Sequence, residues 1–422
     1  MLPDMKPRLL RPLDTPLGLY LRPGRNDHQK MLDLLAEGPL ACSGFVLDAS
    51  LSERQAELRA EVVKLGFEAV LDPRACEMAT EGGFARAAIA DLPWAADHIH
   101  TRDDLRDDGG VACAEALADF VSGNGYNATF APTHLLESYQ DPWLEIDAAM
   151  VRHLRARLDR RGLSSVPIYY PLAVTTTTLR DGEARARLLD HVARLPIDAL
   201  WLRISPFGAS SGPLALKRYL EAARDLQAVG VPLVAEKTGT AGLPLLAFGG
   251  VGGIEGGITL GERFDARGLL RPRKTGKPFA KPPRVYVARL GVFMERAQAR
   301  ALFENRQMKA LLACKDERCC RRGSDDMLAD PRRHFVLQRA REVSRLSRAP
   351  YVLRPQIYMD EFLRDATDLA LQAAKVDPTL VPSQRRLESW RITLSSVLRD
   401  GFVPSDVAAP TGQRATLQSV GA

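Results

Sequence analysis

Along the first 262 residues, short apolar runs that end in polar residues alternate with stretches whose apolar positions recur at helical spacing. The runs fall at 17–21, 44–48, 68–72, 128–132, 166–170, 199–204 and 231–236, with an eighth, glycine-laden one ending Ile258-Thr259-Leu260. Helices are predicted near 27–36, 52–65, 111–122, 144–161, 182–195, 214–229 and 242–248, and a long excursion, 73–110, follows the third run. Continuous apolar runs suit strands buried on both faces, and eight of them alternating with helices predict a (β/α)₈ barrel over 1–262. A doubly wound open sheet is the structural alternative. No Gly-x-Gly-x-x-Gly follows the first run to support a dinucleotide fold.

Beyond residue 262 the pattern changes. A basic, proline-broken linker (271–284) leads to a strand-like run at 285–288 and an arginine-bearing helix near 295–312. A cysteine cluster, helices near 333–347 and 359–375, and a frayed last dozen residues complete a C-terminal region over 263–422.

Charge sharpens this division. The net charge of +6 is the sum of unlike parts: residues 263–422 hold 31 Lys and Arg against 17 Asp and Glu, whereas residues 1–262 hold 27 against 35. A basic tail behind an acidic barrel points to an anionic partner, nucleic acid first, or to a tail that docks on the barrel itself. No apolar run reaches the roughly 18 residues of a membrane span, and the N-terminus lacks the layout of a secretory signal, so a cytoplasmic location is expected. The six cysteines are then thiols or metal ligands.

Barrel active sites lie at the C-terminal ends of the strands. That rule selects Asp48, Asp72, His134, Tyr170, Arg203, Glu236, Lys237 and Glu262. Asp48 also suits a helix cap before Ser50-Leu51-Ser52. Asp72, Glu236 and Glu255 are the candidate catalytic carboxylates. His134, Tyr170, Arg203, Lys237, Gly256, Gly257 and Glu262 are candidate substrate contacts. Seven of the thirteen residues 249–261 are glycine, which lets main-chain N–H groups approach a base, phosphate or flavin, or lets backbone pack tightly in the barrel wall. Cys314, Cys319, Cys320 and His334 form a Cys₃His set suited to structural zinc.

A barrel whose last strand leads into three cysteines, one histidine and an arginine-bearing helix (His334-Phe335-Val336-Leu337-Gln338-Arg339) resembles the tRNA-guanine transglycosylase superfamily. Gly256-Gly257-Ile258-Thr259-Leu260-Gly261-Glu262 is similar to a Gly-Gly-x-x-x-Gly-Glu segment with which that family holds guanine, and Asp72 matches its early aspartate. The resemblance implies a transferase that exchanges a base in tRNA or DNA, with a structural zinc ion. The family's nucleophilic aspartate has no counterpart in the last strand, Ile254-Glu255-Gly256-Gly257-Ile258-Thr259, so Glu236, Glu255 or Glu262 would have to supply the carboxylate. The cysteine spacing also differs from the family's Cys-x-Cys-x₂-Cys. A binding protein without catalysis, and a barrel enzyme for a small phosphorylated or flavin-type ligand, are the alternatives.

Overall fold

The computed structural model describes residues 18–84, 87–259, 261–272 and 283–400. The N-terminal segment, most of the basic linker and the end read as frayed lie outside the described residues.

Eight parallel strands close into a TIM-type (β/α)₈ barrel: β1 (Gly18–Arg22), β2 (Gly44–Asp48), β3 (Glu68–Asp72), β4 (Ala128–Phe130), β5 (Ile168–Thr175), β6 (Ala199–Ser205), β7 (Leu233–Ala235) and β8 (Gly253–Gly257). β4 pairs with β5 and β8 pairs with β1, which closes the ring. Among the described residues, the helices of six or more residues between or after these strands are α1 (His28–Ala36), α2 (Ala56–Lys64), α3 (Asp107–Asn124), α4 (Trp143–Arg160), α5 (Gly182–Val192), α6 (Pro213–Leu226) and α7 (Gly242–Ala247). The excursion after β3 holds three single-turn helices, Ala75–Met78, Glu81–Phe84 and Ala87–Ala90.

Strand parity sorts the side chains into two cores. Inward-facing Tyr20, Val46, Val70, Phe130, Tyr169, Trp201 and Val234 fill the barrel interior. Outward-facing Leu19, Leu21, Leu47, Leu71, Tyr170, Leu172, Leu200 and Leu202 join the larger core beneath the helices.

The tail begins with an antiparallel hairpin, β9 (Val285–Val287) and β10 (Val292–Met294), turned at Gly291 with φ +61°. It continues as α8 (Arg296–Glu304), α9 (Arg306–Leu312), α10 (Ser324–Ala329), α11 (Pro331–Arg348), α12 (Arg364–Val376) and α13 (Val381–Arg399). Helix α11 starts at a defined cap, where the Asp330 carboxylate accepts from the Arg333 N–H and Pro331 takes the first helical position. It packs on β1 between α1 and α7, the place of the barrel's eighth helix. The C-terminal region is thus helical, and α11, with ten buried residues, belongs to the barrel wall.

Sequence periodicity located α11 and part of α12 but passed over α13. Its apolar positions Leu387, Trp390, Leu394 and Val397 are buried, and Trp390 donates to the Ser211 carbonyl (3.0 Å) as α13 packs on α6. Ion pairs dock the tail on α1: Arg332 with Asp27 (2.8 Å), Lys30 with Asp330 (2.9 Å), and Arg333 with Glu37. No helix among the described residues is long and apolar enough to cross a membrane.

Candidate active site in the barrel mouth

Each strand that ends in a charged inward position contributes to one buried network. Arg22, the last residue of β1, stands at its centre. Its guanidinium donates to Asp72 at the end of β3, to Glu236 after β7 (2.9 Å) and to Glu255 in β8 (2.7 Å). Arg203 in β6 grips Glu236 with two bonds, 2.9 and 2.7 Å, and lies 3.9 Å from Asp72. The second oxygen of Asp72 accepts from the Arg74 N–H (3.0 Å), and the second oxygen of Glu255 from the Lys237 N–H (2.8 Å). Arg74 extends the network to Asp48 and Glu77, each at 3.2 Å.

Burial alone would raise the carboxyl pKa of Asp72 and Glu236, but the facing guanidinium groups outweigh it and hold both carboxyls below their ordinary range. For Asp72 the opposing charges are led by Arg22, and for Glu236 by Arg203. Burial, then Arg203 and Arg22, push the Lys237 ammonium pKa down. Burial raises Glu262 to about 7, and neither of its carboxylate oxygens has a hydrogen-bond partner among the described residues.

The backbone is strained at the same level. Among the described residues four non-glycines have positive φ, and Arg74 (+63°), Lys237 (+54°) and Thr259 (+61°) all follow barrel strands. L-residues adopt this region at a cost, and such strain concentrates at functional sites. The segment after β8 covers the mouth. Arg263–Phe264 pairs with Phe207–Gly208, the Ala266 N–H donates to Ser205 (2.8 Å), and Phe264 packs with Cys76, Leu135, Ala173 and Leu269.

Of the residues selected from sequence, Asp72, Arg203, Glu236, Lys237 and Glu255 meet here. Asp48 joins through Arg74 and also serves as the cap anticipated for it, accepting from Ser50 N–H (3.0 Å). Glu262 follows the last strand, beside Gly239. Gly256 and Gly257 lie in β8, where a Cβ on Gly256 would meet nothing within 4 Å, whereas one on Gly250 would meet Leu220 at 3.0 Å.

His134 and Tyr170 lie elsewhere. His134 pairs with Asp147 of α4 (2.6 Å) and stacks on Trp143, and Tyr170 faces the helix layer, because β5 runs on to Thr175 and Tyr170 is neither at its end nor of inward parity. Sequence reasoning missed Arg22, Arg74 and Phe264. Arg22 was legible, since it follows inward Tyr20 by two positions.

In the tail, the ligand atoms of Cys314, Cys319, Cys320 and His334 lie within 4.8 Å of one another and can hold one metal ion. His334 Nε2–H donates to the Tyr286 carbonyl (2.8 Å), which turns Nδ1 toward the cluster, 3.3 Å from the Sγ atoms of both Cys319 and Cys320. Gln338 donates to Cys314 Sγ at 3.5 Å.

No protein-family model matches the chain, and no curated protein matches its sequence. Solved structures similar at low identity include the following three. A GH18 chitinase from Pseudoalteromonas aurantia is 13% identical with a TM-score of 0.35, over 56% of this chain and 93% of that one. Thiamine phosphate pyrophosphorylase from Pyrococcus furiosus is 11% identical with a TM-score of 0.31, over 60% and 92%. A GH26 beta-mannanase from Bacteroides ovatus is 12% identical with a TM-score of 0.36, over 57% and 80%. The barrel class rests on the strand pairing described above.

Proposed function

We propose that the chain is a nucleic-acid base-modifying enzyme of the guanine transglycosylase type, acting on DNA or tRNA, with a structural zinc ion in its tail. The observation that carries the reading is the pair of ionised carboxylates, Asp72 and Glu236, held on one guanidinium inside the covered mouth. Breaking a glycosidic bond develops positive charge at the anomeric carbon, and fixed carboxylates stabilise that charge. Arg22 and Arg203 keep both groups ionised and oriented. The basic tail would bind phosphates, which makes affinity fall steeply with salt.

Zinc suits the donor set of three thiolates and an imidazole already oriented by a carbonyl. Elemental analysis is expected to find one equivalent, lost in Cys319→Ser and in His334→Ala. The activity is tested by incorporation of labelled guanine into tRNA and into duplex DNA. Asp72→Asn is expected to abolish incorporation while leaving salt-sensitive binding. Absence of both incorporation and salt-sensitive binding would sink the reading. One observation favours a binding protein without catalysis: Asp72, Glu236 and Glu255 each already accept from a guanidinium.

A further inference from the structure

Three carboxylates of the mouth, Asp72, Glu236 and Glu255, have both oxygens engaged, whereas Glu77 Oε2 and both oxygens of Glu262 are unpartnered among the described residues. Asp72 uses one oxygen for Arg22 and the other for the Arg74 N–H. Glu236 receives Arg22 and Arg203 on one oxygen and Arg203 again on the other. Glu255 accepts from Arg22 and from the Lys237 N–H. A carboxylate so bound is held as a counter-charge, and its nucleophilicity is spent on donors.

Lys237 is placed differently. Its Nζ makes no hydrogen bond among the described residues; its ion-pair partner is Glu236 Oε1, at 3.8 Å. One face of its ammonium looks onto the Phe264 ring, 5.5 Å from the centroid. The side chain keeps 16% exposure under the covering segment, whereas Glu236 keeps none. Its φ of +54° is what a non-glycine residue adopts only when the surrounding structure requires that direction. The charged groups facing it are Glu236 and the Lys237-adjacent Arg203, then Arg22, Glu77 and Asp72. Of the three cations nearest the centre, only lysine can lose a proton, because guanidinium does not deprotonate in proteins. Burial beside two arginines favours that loss, which is how lysine nucleophiles are activated.

We propose that the Lys237 amine is the covalent nucleophile of the mouth, joining the anomeric carbon of a nucleoside and forming an imine with its opened sugar. The inference rests on the glycosyl-transfer reading above and supplies the nucleophile that the last strand lacks. Neutral Nζ forms a bond to the anomeric carbon as the bond from that carbon to the base breaks. The bond's electron pair leaves with the base. The ammonium so formed gives its proton to the departing base. Opening of the ring moves a second proton from nitrogen to the ring oxygen and leaves the imine. Attack by an incoming base reverses these steps, and water instead releases the sugar.

The test is borohydride reduction of the full-length protein with two probes: a duplex oligonucleotide holding an abasic deoxyribose, and glycolaldehyde. With the duplex, the expected result is one protein–DNA adduct that peptide mapping assigns to Lys237. With glycolaldehyde at pH 7, label on Lys237 is expected to exceed that on exposed Lys64 at least tenfold, and its yield is expected to climb with pH. Lys237→Arg keeps the positive charge and is expected to lose the adduct, while mapping on the unaltered protein stands if that variant fails to fold. Base exchange without an adduct, or exchange retained in Lys237→Arg, overturns the amine and leaves the transglycosylase reading intact. Selective glycolaldehyde labelling of Lys237 without base exchange supports the amine and removes that reading. Equal labelling of Lys237 and Lys64 overturns the amine.

Discussion

At the floor of the barrel interior, Tyr20 and Phe130 meet the Trp201 ring edge-on at 4.9 and 4.7 Å, and Tyr169 stacks on it at 5.7 Å. Two residues further along β1 and β6 stand Arg22 and Arg203, each ion-paired with Glu236. In the floor Tyr20 and Tyr169 both donate to Glu68, at 2.8 and 2.6 Å, while Trp201 Nε1–H has no partner among the described residues. The mouth instead pairs Arg22, Arg74 and Arg203 with carboxylates, and leaves Lys237 Nζ and both Glu262 oxygens without a hydrogen bond among the described residues. Burying ions in this way seldom adds stability over a hydrophobic filling of equal volume, so the two ends of the same strands answer to different demands. The floor holds the ring closed, and the mouth holds charges in fixed directions.

Four substitutions test that division. Trp201→Ala, at the centre of the floor, should cost about 3–5 kcal/mol in urea unfolding and leave the mouth's chemistry intact in the folded fraction. Arg203→Met should cost about 3 kcal/mol, because Glu236 stays buried with half its partners, and should abolish activity in the folded fraction as well. If Arg203→Met only destabilises, the mouth is scaffolding like the floor.

Glu262→Gln addresses pH. With its pKa raised from 4.5 to about 7, native Glu262 keeps a proton between those values that the unfolded chain has released. Its contribution to stability is therefore full below pH 4.5, declines as pH rises through 7, and is level beyond. The glutamine variant should lack that decline and gain up to about 3 kcal/mol over the parent above pH 7. Unfolding measured from pH 4 to 9 checks the sign. Tyr169→Phe, the mildest, should cost about 1 kcal/mol, since Glu68 keeps Tyr20 as a donor.

The barrel was legible because eight apolar runs separated by helical stretches admit few other closed arrangements, and strand parity follows directly from each run. The site was legible only where a run's end was read correctly. Asp72, Arg203, Glu236 and Glu255 lie on inward positions within or next to the runs. Tyr170 was misplaced because β5 continues through Pro171 to Thr175, and proline reads as a terminator although its missing N–H is tolerated there. Arg22 was passed over because the first run was ended one residue early. Lys237 was read as a contact, and nothing in its sequence signals the positive φ that aims it. Such strain arises from tertiary closure, which local pattern does not encode.

Helix α11 also sets a schedule for making the molecule. Phe335, Val336, Ala340, Val343 and Leu346 are among its buried residues, and the helix fills the gap between α1 and α7. A ribosome delivers them more than sixty residues after β8 is complete. Until then the nascent barrel carries an open seam along β1, greasy and unshielded, in the kind of intermediate that chaperones recognise. The cysteines emerge just before the seam closes and His334 emerges within the closing helix, so capture of a metal ion and sealing of the barrel would occur in one late event. Were an ion held there, cells starved of it would accumulate chains stalled with the seam exposed, aggregating or degraded, while the earlier helices of the barrel were already in place.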